Sequence, residues 1–525
     1  MATVTARMRI CNAATVFDGL WGAVTKLAQG LGCSRQALYQ QARRVEAVVA
    51  AARKDDSGQP PAPPRLVALA EENRQLWAAL ENAIDFPVTK QQQFTATATA
   101  MGLSLTQALV LLAIVLPAGR LPSRAKLGRW TQHWSQRAGR LLAVLDRACQ
   151  NLVLLLCLDE IFVRRRPMLM GVEPLSMAWV IGQKTADRSG ETWCGLLRPW
   201  TRVAYTAVDG GSGLRRGLEL TQRQRAAAGP SLPLEGNLDN FHIQREGRKA
   251  LRHTWQEAER IWVQAEQADR AVAAARRQGQ NQSGPVSKAR TAWVRAEEAL
   301  AVAEQREAAY QRAVAALELF RPDGQLNDRA WATAELLLAT QALPEGRWAK
   351  FCRMALDRRA LTFLDRVHRG LQEAEPRVEL RQALLTLWRV RHPQRVRRNS
   401  GQTAGRDRAL VTVHTLICHK LEANWQASYA RVAAVLRQTV RASSVVECMN
   451  SVLRMHQARH RSLSQDLLNL KRLYWNCRSF AEGKRRDHCP YEHLALPLPT
   501  YDWWELLQLE PEELEQKLST SQVPE

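Results

Sequence analysis

The chain has 525 residues, of which 46% are hydrophobic, so it can form several domains with large cores and is not mainly disordered. Lys and Arg outnumber Asp and Glu by 74 to 51, and the resulting net charge of +23 favours a polyanionic partner such as DNA. Ten scattered cysteines without a Cys-x-x-Cys pair argue against a disulfide framework and favour a reducing cytoplasm, where we expect the protein to be associated with the bacterial nucleoid.

We expect neither a signal peptide nor a membrane span. Residues 1–30 contain no uninterrupted apolar core. The most apolar stretch, 103–116, carries three polar residues and stops at Pro117, so it is too short to cross a bilayer. It predicts a buried helix instead.

Residues 1–54 predict a helix-turn-helix DNA-binding domain, with an ordinary helical hairpin as the alternative. Ala28 would be the small residue of the first helix, Gly32 the turn and Ser34 the N-cap of the second helix. The side chains expected to face a major groove are those of Arg35, Gln36, Tyr39 and Arg43.

A Pro-rich linker at 55–65 leads to a predicted helical region at 66–148, which would serve in dimerisation or as a second DNA-binding element. Its first helix, 66–80, has leucines at heptad-type spacing. A later helix would begin after Ser123 as N-cap and either face DNA or pack within the protein.

The pattern changes over 149–244, where short apolar runs alternate with turn residues and amphipathic stretches. The predicted elements are strands at 152–159, 168–172 and 176–182, a helix at 190–200, a strand at 203–209, a helix at 213–225 and a strand at 237–241. This order is that of a ribonuclease-H-like core that lacks only its last helix.

The last helix of the core does not follow directly, because an almost wholly helical stretch at 245–440 is inserted before it. The rest of the core is predicted at 441–495. A C-terminal tail is predicted at 496–525, and its acidic part, 510–525, is expected to be frayed. The predicted fold class is therefore multidomain α/β plus α. A ribonuclease-H-like mixed sheet core is interrupted by an all-α insertion and preceded by a helix-turn-helix domain.

Three acidic residues stand where a metal-dependent nuclease would need them. Asp159 and Asp209 each end a predicted strand, and Glu447 lies early in an amphipathic helix that begins near Ser443. Mg²⁺, with Mn²⁺ as a substitute, binds hard carboxylate oxygens, and two such ions can act on one phosphodiester. Glu160 would point to the other face of the strand, so Asp159 is the preferred ligand.

Basic residues near these acids are candidates for contacts with DNA. Arg454 lies seven residues after Glu447 on the same helical face and could clamp a phosphate. The further candidates for backbone contacts are Arg395, Arg397, Arg398 and Arg461. A solvated loop is the alternative for the basic run at 389–398.

Three segments carry a resemblance to a known family. DEIFVRRRPMLMGVEP (159–174), VDGGSGL (208–214), and SSVVECMNSVLR (443–454) with LYWNCRSF (473–480) resemble the acid-bearing segments of bacterial insertion-sequence DDE transposases. The helical interruption is similar to that of hAT and Mutator-type enzymes.

The resemblance implies binding to element ends, hydrolysis that frees a 3′-hydroxyl, and joining of that hydroxyl to target DNA. It makes Asp159, Asp209 and Glu447 the metal-binding triad. It also implies double-stranded DNA as the partner, with terminal repeats and target held by a homodimer or larger assembly. Asp239 and His242 stand where Mutator-like enzymes carry a Cys/Asp-x-x-His element. Asp239 is thus a rival for the second acid, and His242 would contact the scissile phosphate or satisfy a core hydrogen bond.

Two other functions remain open at this point. A domesticated, non-catalytic DNA-binding regulator would be expected to have lost an acid, and none is lost here. A structure-selective nuclease of the same fold would need neither the N-terminal helices nor the helical insertion.

Overall fold

The computed structural model describes most of the chain and divides it into two compact units, residues 1–85 and 86–525. The described residues are 6–17, 22–54, 68–69, 71–75, 86–229, 233–392, 402–459 and 463–520. The predicted linker and most of the heptad-spaced helix at 66–80 lie outside them.

The described residues of the N-terminal unit include the helices α1 (Ala6–Phe17), α2 (Ala23–Leu31) and α3 (Arg35–Lys54), and residues 68–69 and 71–75 are also helical. Gly32 ends α2 in the left-handed conformation, with φ of 62°, which glycine adopts without the penalty of a Cβ. The Ser34 hydroxyl accepts a hydrogen bond from the Ala37 amide at 3.2 Å, and Ala28 is buried. The turn, the cap and the small helical residue predicted from the sequence are confirmed.

The second unit is built on one five-stranded sheet with the spatial order β3-β2-β1-β4-β5. The strands are β1 (Leu155–Val163), β2 (Arg166–Val172), β3 (Trp179–Lys184), β4 (Tyr205–Val208) and β5 (Glu235–Leu238). The first three pair antiparallel, whereas β4 and β5 run parallel to β1. The predicted sequence of strands and helices is confirmed over this stretch.

The prediction that β1 ends at Asp159 is wrong. The strand continues to Val163 and turns into β2 through Arg164 and Arg165, whose φ angles are 49° and 67°. Tight hairpin turns of this kind usually contain Gly or Asn, so the two arginines gave no turn signal. Asp159 consequently lies within β1, one residue beyond the end of its pairing with β4.

Helices cover the face of the sheet that carries Leu156 and Leu158. They are α4 (Val88–Ala100), α6 (Arg124–Cys149), α7 (Gly190–Leu197) and α8 (Ser212–Ala227), whereas α5 (Leu105–Val115) packs on α4 and α6. Ser123 caps α6 by accepting from the Lys126 amide, as predicted. Buried side chains of α6, α7 and α8 join those of β1 in the main hydrophobic core.

The prediction that the apolar stretch 103–116 is a buried helix is only half right. Its helix, α5, buries Ala108 and Leu112, but Val110 and Ile114 are 61% and 75% exposed. None of the helices in the described part of the chain combines the length and apolar character that crossing a membrane requires.

A helical region follows β5 directly. Its helices are α9 (Asn240–Arg277), α10 (Ser283–Ala316), α11 (Arg329–Gln341), α12 (Ala349–Ala355), α13 (Thr362–Ala374), α14 (Val378–Arg391), α15 (Gln402–Leu421) and α16 (Trp425–Arg437). The long helices α9 and α10 pack against each other as a hairpin, with the rings of Trp262 and Trp293 in edge-to-face contact and their centroids 4.9 Å apart. Residues of β1, β4 and β5 share a core with this region.

The remaining helices return the chain to the sheet. They are α17 (Ser444–Arg459), α18 (Gln465–Cys477), α19 (Pro490–His493), α20 (Trp503–Gln508) and α21 (Pro511–Thr520). Val446, Met449 and Leu453 of α17 are buried against the face of the sheet that carries Cys157 and Ile161. Together, the described residues form a mixed α/β plus α structure.

The expectation of a frayed tail is wrong for the described residues up to 520. Leu514 and Leu518 of α21 are buried, and α21 packs on α6. Glu515 accepts a hydrogen bond from Arg147 of α6 at 2.8 Å. The acidic composition of this segment therefore reflects pairing with basic residues of α6, in addition to exposure to solvent.

Replacement of Gly213 by alanine is expected to lower the free energy of unfolding by about 2 kcal/mol, because overpacking forces the backbone apart. A Cβ at this position in α8 would collide with the carbonyl oxygen of Arg188, which cannot rotate away. Gly195 in α7 is the matched control, since a Cβ there meets nothing within 4 Å. Gly195→Ala should leave stability unchanged or raise it by up to about 1 kcal/mol. Urea unfolding would measure both, and equal effects would contradict the packing argument.

Candidate active site

Three aspartates lie side by side at the carboxyl ends of the parallel pairing. Leu158 pairs with Val208, and Val208 pairs with Leu238, so the next residues in register are Asp159, Asp209 and Asp239. Residues in register on parallel strands point to the same face. This face is the one on which α17 packs, which brings the N-terminal turn of α17 to the same edge.

Asp159 is buried, at 6% exposure, and both of its carboxylate oxygens accept hydrogen bonds. The Asn450 side-chain amide of α17 donates to Oδ2 at 2.6 Å, and the Glu160 amide donates to Oδ1 at 2.7 Å. Burial and the nearby charges of Asp209 and Glu447 raise the pKa of Asp159 to about 7, against the lowering effect of the Glu160 amide. The carboxyl thus lies in a centre of excess negative charge.

Glu160 points to the opposite face, as predicted. Its carboxylate pairs with Arg188 at 2.8 Å and accepts a hydrogen bond from the Trp193 indole at 3.2 Å. Both partners lie at the α7 side of the sheet. The two adjacent acids of β1 therefore belong to different environments, and only Asp159 faces α17.

Asp239 is fully buried and has no free oxygen. Its Oδ1 accepts from the Phe241 amide and so caps α9, while its Oδ2 accepts from His242 Nδ1 at 2.8 Å and from the Ser443 hydroxyl. Although burial opposes ionisation, the hydrogen bonds from His242 and Ser443 lower the pKa of Asp239 below its ordinary value. This carboxylate joins the start of α9 to the start of α17, which disfavours it as the second metal-binding acid.

His242 connects Asp239 to Glu447. Its Nε2 lies 3.5 Å from Glu447 Oε1, while its Nδ1 is held by Asp239. Burial disfavours the protonated ring, but the bond to Asp239 and the charges of Asp239, Asp159 and Asp209 raise the pKa of His242 above its ordinary value. A protonated ring can donate to both carboxylates and so holds Glu447 at the edge of the sheet.

Arg454 approaches Glu447 from the exposed side of α17, with 3.8 Å between Nη1 and Oε2. Its side chain is 58% exposed and can rotate toward a ligand. The described structure therefore places Arg454 beside the acidic cluster, as its seven-residue spacing from Glu447 predicts.

Asp209 opens into a cavity of about 510 Å³ between the sheet and the helical region. Its Oδ1 accepts from the Gly211 amide at 3.0 Å, and His242 lines the same cavity. Across the cavity stand Lys350 and Arg353 of α12. Of the acidic cluster, Asp209 is thus the member that faces this cavity and the charged side chains of the helical region across it.

The donor chemistry of the cluster fits a divalent cation such as Mg²⁺, but no metal site is preformed. Asp159, Asp209 and Glu447 supply hard carboxylate oxygens. Burial, and after it the charges of Asp209 and Glu447, raises the pKa of Asp159, and a bound cation would favour the ionised carboxylate. Among the described residues, no three His, Cys, Asp or Glu side chains are already arranged to hold a metal ion. Hydrogen bonds from Asn450 and Gly211 hold the carboxylates of Asp159 and Asp209 in their present orientations.

The other candidate DNA contacts divide into two groups. Arg35, Gln36, Tyr39 and Arg43 are all exposed on α3, whereas Leu38 and Ala42 are buried, so the four residues share the outward face of that helix. The second group, Arg395, Arg397, Arg398 and Arg461, lies outside the described residues.

Sequence reasoning missed two residues that position the cluster. Asn450 holds Asp159, and Ser443 holds Asp239; both are completely buried. Asn450 stands three residues after Glu447, and a polar residue at that spacing on the buried side of an amphipathic helix was the available signal.

No protein-family model matches this chain, and comparison with curated proteins finds no relative.

Without metal, the stability of the protein should depend on pH through Asp159. Its folded-state pKa of about 7 lies above the ordinary value of 3.8, so between these values the folded state retains a proton that the unfolded state loses. The stabilisation that this proton gives to the folded state is complete below pH 4 and is lost as the pH rises to 7. The free energy of unfolding of Asp159→Asn should therefore increase relative to that of wild type by a few kcal/mol between pH 4 and 7 in EDTA. Urea unfolding at several pH values would measure it, and a constant difference would contradict the assignment.

Proposed function

We propose that this protein is a DNA transposase of the DDE type, which cuts DNA at the ends of its element and joins the freed 3′-hydroxyl to target DNA. The single observation that supports this most is the convergence of Asp159, Asp209 and Glu447 at one edge of the sheet. The strand order β3-β2-β1-β4-β5 with a parallel β1-β4-β5 half is the order expected of a ribonuclease-H-like core. The helical region between β5 and α17 then corresponds to the predicted insertion.

Asp159, Asp209 and Glu447 would hold divalent metal, which when bound would supply Lewis-acid stabilisation of the attacking and leaving oxygens. The protein's own contribution is to bring these acids together from β1, β4 and α17. His242 can hold a proton between Asp239 and Glu447, and Arg454 can neutralise a phosphate oxygen beside Glu447.

The N-terminal unit would supply recognition of the element ends. The exposed Arg35, Gln36, Tyr39 and Arg43 on α3 have the side-chain chemistry that reads base edges and phosphates in a major groove. Since two ends must be held together for transposition, we propose that the protein acts as a homodimer or larger assembly. We place this activity in the cytoplasm, where bacterial DNA lies.

The test is cleavage and strand transfer by the purified full-length chain on DNA from the borders of its own gene, with Mg²⁺ and with EDTA. Metal-dependent cutting at discrete border positions, followed by joining, is the expected result. Cutting without joining would favour a structure-selective nuclease. Specific binding without cutting in either condition would favour a DNA-binding regulator.

A further inference from the structure

A continuous groove lined by charged side chains of both signs leads away from the acidic cluster. The cavity that begins at Asp209 adjoins a second cavity of about 890 Å³, and the two share Arg215, Asp357 and Arg359 in their walls. One wall is formed by α8 and β5 of the sheet, and the other by residues 350–369 of the helical region.

Most charged side chains of the groove neutralise one another. Asp357 pairs with Arg359 at 2.7 Å, and Glu246 pairs with Lys249 at 2.7 Å and with Lys350 at 3.4 Å. In the second cavity, the pairs are Arg329 with Asp365 and Arg369 with Glu235.

Three arginines differ from these pairs. Arg353, Arg215 and Arg358 are exposed, and none has a carboxylate within 4 Å among the described residues. Arg353 lines the first cavity, Arg215 lines both, and Arg358 lines the second. Arg353 and Arg358 therefore carry positive charge without an ion-pair partner along the groove, and Arg215, whose charge acts on Asp357 from beyond 4 Å, remains free to contact a ligand.

The groove offers little surface on which bases could stack. None of the described residues that line the two cavities is Phe, Tyr or Trp, and His242 in the first cavity is held by Asp239. Guanidinium groups without a carboxylate in ion-pair contact are suited to phosphate oxygens, which they can contact through two parallel hydrogen bonds. Phosphate contacts of this kind position a strand without reading its sequence.

We propose that this groove binds the sugar–phosphate backbone of the DNA strand that leads to the acidic cluster, with Arg353, Arg215 and Arg358 as its phosphate contacts. The proposal rests on the proposed function for the identity of the ligand. In addition, we propose that the helical region forms one side of the substrate-binding groove and that α8 forms part of the other side.

The experiment measures DNA binding in EDTA, where cutting does not occur, as a function of salt concentration. The full-length triple variant Arg215→Gln, Arg353→Gln, Arg358→Gln would be compared with wild type on single strands of two unrelated sequences. Three lost phosphate contacts should lower the slope of log affinity against log salt by about 2, equally for both sequences. Arg353→Gln alone should lower it by about 0.7.

The matched control removes three charges elsewhere, by Arg198→Gln, Arg290→Gln and Arg295→Gln. These arginines are exposed, line neither cavity and have no carboxylate within 4 Å among the described residues. The control should retain the wild-type slope. An unchanged slope in the groove variant, or an equal loss in the control, would overturn the proposal. Thermal unfolding of each variant shows that the fold is retained.

This readout is separate from the test of function. If wild type cuts and joins DNA while the groove variant binds like wild type, the groove assignment is wrong and the transposase proposal stands. If the groove variant shows the expected decrease in salt dependence while wild type cuts no DNA, the groove assignment stands and the catalytic proposal fails.

Discussion

Asp159→Asn is expected to abolish metal-dependent DNA cleavage while leaving the protein as stable as wild type or more so. The neutral amide cannot hold a divalent cation as the carboxylate does, and loss of ~4 kcal/mol of transition-state stabilisation slows a reaction about 10³-fold. The fold should tolerate the change because Asn450 Oδ1 is buried without a hydrogen-bond partner. Rotation of the Asn450 amide would let this oxygen accept from the new side chain. Single-turnover cleavage and urea unfolding would measure the two effects.

Glu160→Gln is the matched control on the same strand. It removes one carboxylate adjacent to Asp159 but on the opposite face, where its partner Arg188 is 58% exposed. The Glu160 side chain itself is only 6% exposed, but glutamine keeps an oxygen that can accept from Arg188 or from the Trp193 indole, so the expected cost is about 1 kcal/mol, and cleavage should continue at the wild-type rate. Retained cleavage in Asp159→Asn, or equal losses in the two variants, would show that Asp159 has no special role.

Asp239→Ala is expected to lower the free energy of unfolding by about 3 kcal/mol, which would be the largest stability effect among these variants. The change removes the N-cap of α9 and leaves the buried Ser443 hydroxyl and His242 Nδ1 without their shared acceptor. Because Glu447 depends on His242, cleavage should fall as well. Urea unfolding, with cleavage measured on the folded fraction, would separate the two losses.

Asp502→Ala is the control for capping alone. Asp502 is exposed and caps α20 through the amides of Trp504 and Glu505, so its loss should cost about 1 kcal/mol. Asp239→Asn should cost less than Asp239→Ala, since its oxygen can still cap α9 and its amide can donate to His242 Nδ1. Equal costs for Asp239→Ala and Asp502→Ala would contradict a role for Asp239 in joining α9 to α17.

The sequence was most informative where periodicity and chain order carry the information. Alternation between apolar runs and amphipathic stretches predicted every strand and helix from 155 to 238. The same pattern placed Asp159 and Asp209 directly after apolar strand residues, which pair with each other in the structure. Ser34 and Ser123 were recognised as caps because capping depends on local chemistry.

Features that depend on distant partners were not predictable in the same way. The length of β1 depends on its pairing with β2, which follows a turn made of two arginines. The C-terminal helix α21 is ordered because it packs on α6. The bond from Asn450 to Asp159 joins residues 291 positions apart, and that from Ser443 to Asp239 joins residues 204 apart. Such pairs become evident only when the tertiary structure brings them together.

The long separation between the acids also has a consequence for synthesis of the protein. A nascent chain that has left the ribosome as far as the helical region already carries Asp159 and Asp209 but still lacks Glu447, Asn450 and the face of α17. Domains generally fold as the chain emerges, from the N-terminus onward. DNA-binding surfaces would therefore exist before the cutting centre is complete, so truncated translation products should occupy DNA without breaking it.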